Sequence, residues 1–146
     1  MTKGAPLVLT PIKAGFPNPA EDVGQMMLDL NSIVIEHPAS TFYMRVDGDS
    51  MEDLSIYSGD LVVVDKALEP RSGDVVVAFI EGEFTLKQFV HLHNRGELRP
   101  GNPAYPVIPI TEDTDFQIWG VVTYTLHQFR KKDLQIRSGK YRRKDA

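Results

Sequence analysis

A chain of 146 residues, 42% of them hydrophobic, is long enough for one domain with a buried core. It has no cysteine, which excludes disulfides, thiol nucleophiles and cysteine-based zinc sites. The net charge of −4 is uneven: residues 1–129 hold 8 Lys/Arg against 18 Asp/Glu and residues 130–146 hold 8 against 2, so the body is not expected to bind nucleic acid unaided.

Residues 1–18 contain Gly4, Pro6, Pro11, Gly15 and Pro17 with no helical or alternating period, and read as an extended arm outside the core. Val23, Met26, Met27 and Leu30 fall at roughly helical spacing, which predicts a short helix or turn over 20–31. The apolar run Ile33-Val34-Ile35 follows, and His37 before Pro38 reads as a satisfied loop histidine. Residues 41–46 alternate and are β-prone, so they predict a strand leading into Gly48-Asp49-Ser50. Residues 61–64 and 75–79 are valine-rich and each follows a Gly-Asp pair, a turn-then-strand signal used twice. A third strand is predicted over 84–92 after the turn at Glu81-Gly82, and 100–109 is a Pro- and Asn-rich loop or edge segment. The stretch 116–126, with Trp119, should close the sheet, and 130–146 is a polar, basic tail, read as a solvated segment or as one that touches DNA phosphates or an acidic partner. No window is long and apolar enough to span a bilayer and the N-terminus has no signal-peptide pattern, so a soluble cytoplasmic protein is expected.

Two residues in this frame carry chemistry. Ser50 lies in a Gly-Asp-Ser turn, which presents its hydroxyl at a bend with the amides of Ser50 and Met51 close by, the donors an oxyanion needs. A serine hydroxyl is a weak nucleophile without a base. Lys87 sits among Phe84, Leu86, Phe89 and Val90, a setting that desolvates an ammonium, lowers its pKa and lets the free amine take the serine proton. By the two-residue strand period Thr85, Lys87 and Phe89 share a face. His91 and His93 alternate like a metal pair, but a site needs three or four converging ligands and none completes this one, so no metal or other cofactor is expected.

Four motifs in order, Gly48-Asp49-Ser50-Met51, Gly59-Asp60-Leu61-Val62-Val63-Val64-Asp65, Gly73-Asp74-Val75-Val76-Val77-Ala78 and Gly82-Glu83-Phe84-Thr85-Leu86-Lys87, resemble the LexA/UmuD family of self-cleaving serine peptidases over about residues 14–129. The 37-position separation of Ser50 and Lys87 suits that family, and the UmuD-type members are the nearest likeness. The stretch Asn102, Ala104-Tyr105-Pro106 and Ile108 resembles the segment before the family's last strands. Ile12-Lys13-Ala14-Gly15-Phe16-Pro17 resembles the family's self-cleavage site, where a small residue before glycine lets the backbone enter a narrow cleft. UmuD-type members carry Cys-Gly there and LexA repressors Ala-Gly, so a UmuD-like context here holds a LexA-like bond.

The resemblance implies a mainly β fold of twisted antiparallel sheets. It divides the chain into a removable arm (1–14), a peptidase and dimerisation domain (15–129) and a basic tail (130–146). It implies that Lys87 meets Ser50 in a cleft, that a RecA–single-stranded DNA filament stimulates cleavage at Ala14-Gly15, and that the shortened homodimer joins a Y-family, UmuC-like polymerase in the SOS response. The alternative is a regulatory dimer that binds a polymerase and keeps a vestigial dyad. A repressor of the LexA class needs a helix-turn-helix that 14 residues cannot hold. A penicillin-binding Ser-x-x-Lys arrangement fails because position 53 is Asp.

Overall fold

Val75 to Ala78 has no polar alternation because that strand is covered on both faces. Val77, with Val75 beside it, packs into a cluster of Val46, Met51, Ile56, Val62 and Val64, while Val76 and Ala78 pack on the other face with Leu98 and Val121. A strand buried on both sides reads as a continuous apolar run. The computed structural model describes residues 4–9, 11–12, 14–15 and 24–131. Lys13, Phe16 and Pro17 of the cleavage motif, Val23, and the tail from residue 132 lie outside them.

The seven-stranded sheet is antiparallel throughout. It contains β3 (Thr41–Arg45), β4 (Leu61–Asp65), β5 (Val75–Ile80), β6 (Glu83–Leu92), β7 (Arg95–Arg99), β8 (Ile108–Ile110) and β9 (Phe116–Leu126), in the spatial order β3-β4-β9-β5-β6-β7-β8. The closing strand β9 therefore runs through the middle, between β4 and β5. Its register shifts against both neighbours, opposite Val63/Val64 and opposite Val77/Ala78. Such bulges bend and twist a strand. Gly120 sits at the second, where a Cβ would fall 2.5 Å from Val64 Cγ1.

Before the sheet, β1 (Ala5–Val8) and β2 (Gln25–Leu28) form a separate two-stranded ladder. The arm is thus partly a paired strand, and Met26, Met27 and Leu28 are extended rather than helical. Short apolar runs fit both periods, and here the β1 backbone supplies the deciding partner. The helix begins later, as α1 (Leu30–Val34), capped by Asp29, whose side chain accepts from the Asn31 amide at 3.1 Å. The predicted strands at 41–46, 61–64, 75–79, 84–92 and 116–126 appear within one or two residues of those bounds. β7 and β8 were not foreseen as strands: Arg95-Gly-Glu-Leu-Arg is mostly polar, and β8 centres on Pro109 at the sheet edge, where a missing N–H is tolerated. Among the described residues no helix is long and apolar enough to cross a membrane.

Both ends of β4 are held by buried acids. Asp60 accepts from the Tyr57 amide at 2.9 Å and from His127 Nδ1 at 2.5 Å. Asp65 accepts from His37 Nδ1 at 2.5 Å, Ser40 Oγ at 2.9 Å and the Ala67 amide at 2.9 Å. His37 is therefore a satisfied loop histidine. His93 lies in the β6–β7 turn at φ 51, and the ring of His91 stacks on Phe89 at 6.4 Å.

Candidate active site

The turn carrying Ser50 is built from the end of β3. Val46 donates to the Asp60 carbonyl at 2.8 Å and accepts from the Gly59 amide at 2.7 Å, which fixes where the chain leaves the sheet. It reverses at Gly48, whose φ of 103 favours glycine. Glu52 N donates to the Asp49 carbonyl at 3.4 Å, so Ser50 and Met51 are the two central residues of a turn. Met51 is 1% exposed and plugs the core cluster, while Ser50 beside it stays half-buried. The Ser50 and Met51 amides donate to no acceptor among the described residues, which leaves both as candidate oxyanion donors.

The loop after β7 straps this turn from outside. Asp53 N donates to the Gly101 carbonyl at 2.6 Å, and Asn102 Nδ2 donates to the Asp49 carbonyl at 3.1 Å. Tyr105 donates its hydroxyl to Asp49 Oδ1 at 2.6 Å. Gly101 is needed for the approach, since a Cβ there would lie 2.9 Å from Met51 Cα. The sequence marked this stretch only by resemblance. Its side-chain contacts to the serine turn span more than fifty residues and leave no local signature.

Lys87 lies in β6 opposite Val76 and is only 8% exposed. No carboxylate pairs with it among the described residues. Burial pushes its amine below the ordinary lysine value of 10.5. Its Nζ lies 6.0 Å from the centroid of the Tyr105 ring. Tyr105 therefore stands between the two predicted residues, its ring facing Lys87 and its hydroxyl bonded to the neighbour of Ser50. Ser50 Oγ and Lys87 Nζ are not hydrogen-bonded to one another, a looseness common in catalytic pairs without substrate.

A cavity of about 220 Å³ opens beside Ser50, lined by Met44, Arg45, Val46 and Asp47 on one side and Phe84, Thr85 and Leu86 on the other, over Met51, Val62 and Val77. Phe84 packs edge-on against Trp119 at 5.5 Å and Phe79 at 5.1 Å, which steadies that wall. Ala14 and Gly15 are exposed in the β1–β2 connection, with Gly15 at φ 112, and neither lines the cavity. A bigger cavity of about 720 Å³ between α1 and β9 holds neither Ser50 nor Lys87.

A profile of the Peptidase S24-like family matches residues 6–123. Protein SamA of Salmonella typhimurium is 48% identical over 129 residues, covering 88% of this chain and 89% of that protein. Protein MucA of Escherichia coli is 43% identical over 122 residues, covering 83% of each. The LexA repressor of Xylella fastidiosa is 39% identical over 114 residues, covering 78% of this chain and 54% of the repressor.

Proposed function

Because the chain belongs to the Peptidase S24-like family, we propose that it is a serine peptidase that cuts its own Ala14-Gly15 bond with Ser50 as nucleophile and Lys87 as general base. The observation that carries this reading is Lys87 itself. It is a buried lysine with no carboxylate partner among the described residues, its amine shifted toward the neutral form by desolvation, and the tyrosine beside it binds the neighbour of a turn serine.

Free Lys87 accepts the Ser50 proton as Oγ bonds to the Ala14 carbonyl carbon, and the Ser50 and Met51 amides donate to the resulting oxyanion. The Lys87 ammonium returns the proton to the Gly15 nitrogen as the C–N bond breaks. Water then gives a proton to Lys87 and adds to the ester carbon; Ser50 leaves, takes that proton back, and residues 1–14 are free. The scissile bond lies on the same chain, so its effective concentration substitutes for strong substrate binding. The exposed bend at Ala14-Gly15 must travel to the cavity first, which fits a reaction stimulated from outside, by a RecA–single-stranded DNA filament in this reading.

The product, residues 15–129 with the basic tail 130–146, acts in the cytoplasm as a homodimeric subunit of a Y-family translesion polymerase in SOS mutagenesis. The test is processing of Ser50→Ala and Lys87→Ala in the full chain, with RecA filament added. Both should stop losing residues 1–14, by a factor of about 100 or more for the lysine, with fold and dimer intact. Continued trimming of both mutants at Ala14-Gly15 would assign the cut to another protease and leave a non-proteolytic polymerase-binding dimer.

A further inference from the structure

The loop Gly101–Tyr105 is more than a connection between β7 and β8. It contributes three hydrogen bonds to the turn that carries Ser50, at Asp53 N, the Asp49 carbonyl and Asp49 Oδ1, and it reaches Lys87 through one ring. The loop is itself preformed: Asn102 Oδ1 accepts from the Ala104 amide at 2.9 Å, and the Asn102 carbonyl accepts from the Tyr105 amide at 3.1 Å. We propose that Tyr105 is a positioning residue for the self-cleavage reaction: its hydroxyl fixes the Asp49 side of the serine turn and its ring screens the Lys87 amine from water. The inference rests on the Ser50/Lys87 reading above.

The two halves of the side chain act differently. A phenol bonded to a carboxylate is a strong, short-range restraint, and the Asp49 contact also raises the Tyr105 hydroxyl above its ordinary value, which favours its donor form. The ring acts on Lys87 in two opposed ways. Its face attracts an ammonium, but at 6.0 Å it stands at the outer limit for such attraction. Its bulk excludes water, and desolvation is the cause that lowers the lysine. Screening therefore wins. Among the described residues the acids that act on the Tyr105 hydroxyl are Asp49 and Glu52, burial is the cause that shifts Lys87, and neither acid forms an ion pair with it.

The test separates hydroxyl from ring in the full-length chain. Self-cleavage is followed by intact mass from pH 7 to 11 for Tyr105→Phe and Tyr105→Ala, with circular dichroism to confirm folding. The phenylalanine variant should cleave about tenfold more slowly at plateau, the scale of one charge-assisted hydrogen bond. Its inflection should stay at the wild-type pH. The alanine variant should also move the inflection up, toward the ordinary lysine value of about 10.4.

The same inflection is read without cleavage by competitive labelling with acetic anhydride, following acetylation of Lys87 against pH in Ser50→Ala chains with and without Tyr105→Ala. Wild-type rate in Tyr105→Phe, or an unmoved labelling inflection in Tyr105→Ala, would overturn the proposal. Trimming that persists in Ser50→Ala would instead sink the dyad, while the labelling still judges the ring.

Discussion

At the scale of single residues, burial separates the ionisable groups that work from those that hold the fold. Among the described residues Lys87 is buried without an acid, whereas Asp60 and Asp65 are buried with three donors each. A buried charge with full hydrogen bonding is a structural fixture, and one without is a candidate for chemistry. Asp65 makes the contrast measurable. Burial pushes its carboxyl up, but His37, the Ala67 amide and Ser40 outweigh burial and hold it below its ordinary 3.8. The hydrogen bond to Asp65 raises His37 above 6.5. The carboxylate's contribution is thus present above 3.8 and lost as pH falls through the folded value. The imidazolium's is complete below 6.5 and lost as pH rises through the raised one. Replacing His37 by alanine should therefore lower the urea midpoint most between those two values and progressively less outside them. A difference that does not change with pH would show that His37 acts by packing alone. Ser50 and Lys87 were singled out in the sequence by a Gly-Asp-Ser turn and apolar neighbours, and more specifically by four ordered motifs that resemble the family. Tyr105 was not, because its partner Asp49 is 56 residues away.

At the scale of elements, the apolar and β-prone strands were readable and the mostly polar β7 was not. β4 and β5 follow Gly-Asp turn signals, and with β9 they have the apolar content that central strands need, so propensity and burial agree. β2 was misread as a helix or turn because Met26, Met27 and Leu28 fit either period, and β7 was passed over because Arg95, Glu97 and Arg99 make it mostly polar, with Glu97 and Arg99 paired to each other. The loop after β7 binds the serine turn by shape as well as by hydrogen bonds. Gly101→Ala would press a methyl into the Met51 backbone, which cannot rotate away as a side chain would. The substitution should cost about 1–3 kcal/mol of unfolding free energy by overpacking and slow self-cleavage beyond that loss. Equilibrium denaturation beside a cleavage time course checks both. Unchanged stability would mean that the loop does not clamp the turn.

At the scale of the whole molecule, the proposed scissile bond lies between two paired strands. Residues 5–8 hold residues 25–28 in a four-residue ladder, and Ala14-Gly15 sits in the connection. Leu7, Val8, Met26 and Met27 are all exposed, so little apolar burial reinforces the ladder. A lone two-stranded pair is marginal in water even when covalently closed. Cutting the connection should let residues 1–14 dissociate, leaving residues 15–146 alone in native mass spectra. A cleaved chain that retains the peptide would mean that the hairpin draws stability from contacts beyond its own ladder. The sequence divided the chain at Ala14-Gly15, and the hairpin of β1 and β2 spans that boundary outside the seven-stranded sheet. The pairing of the arm was not legible, because Pro6 and Pro11 hide a strand from pattern and propensity alike.

The central claim is that a desolvated lysine activates Ser50 against the chain's own arm. Intact mass of the purified protein, held near neutral pH and at about pH 10, with Ser50→Ala beside it, tests this most directly. Because burial lowers Lys87, the rate should rise with pH and level off below the ordinary lysine value of about 10.4. The account predicts loss of residues 1–14 at alkaline pH in the parent chain and none in the mutant. An uncut parent chain at both pH values, even with RecA filament present, would contradict it.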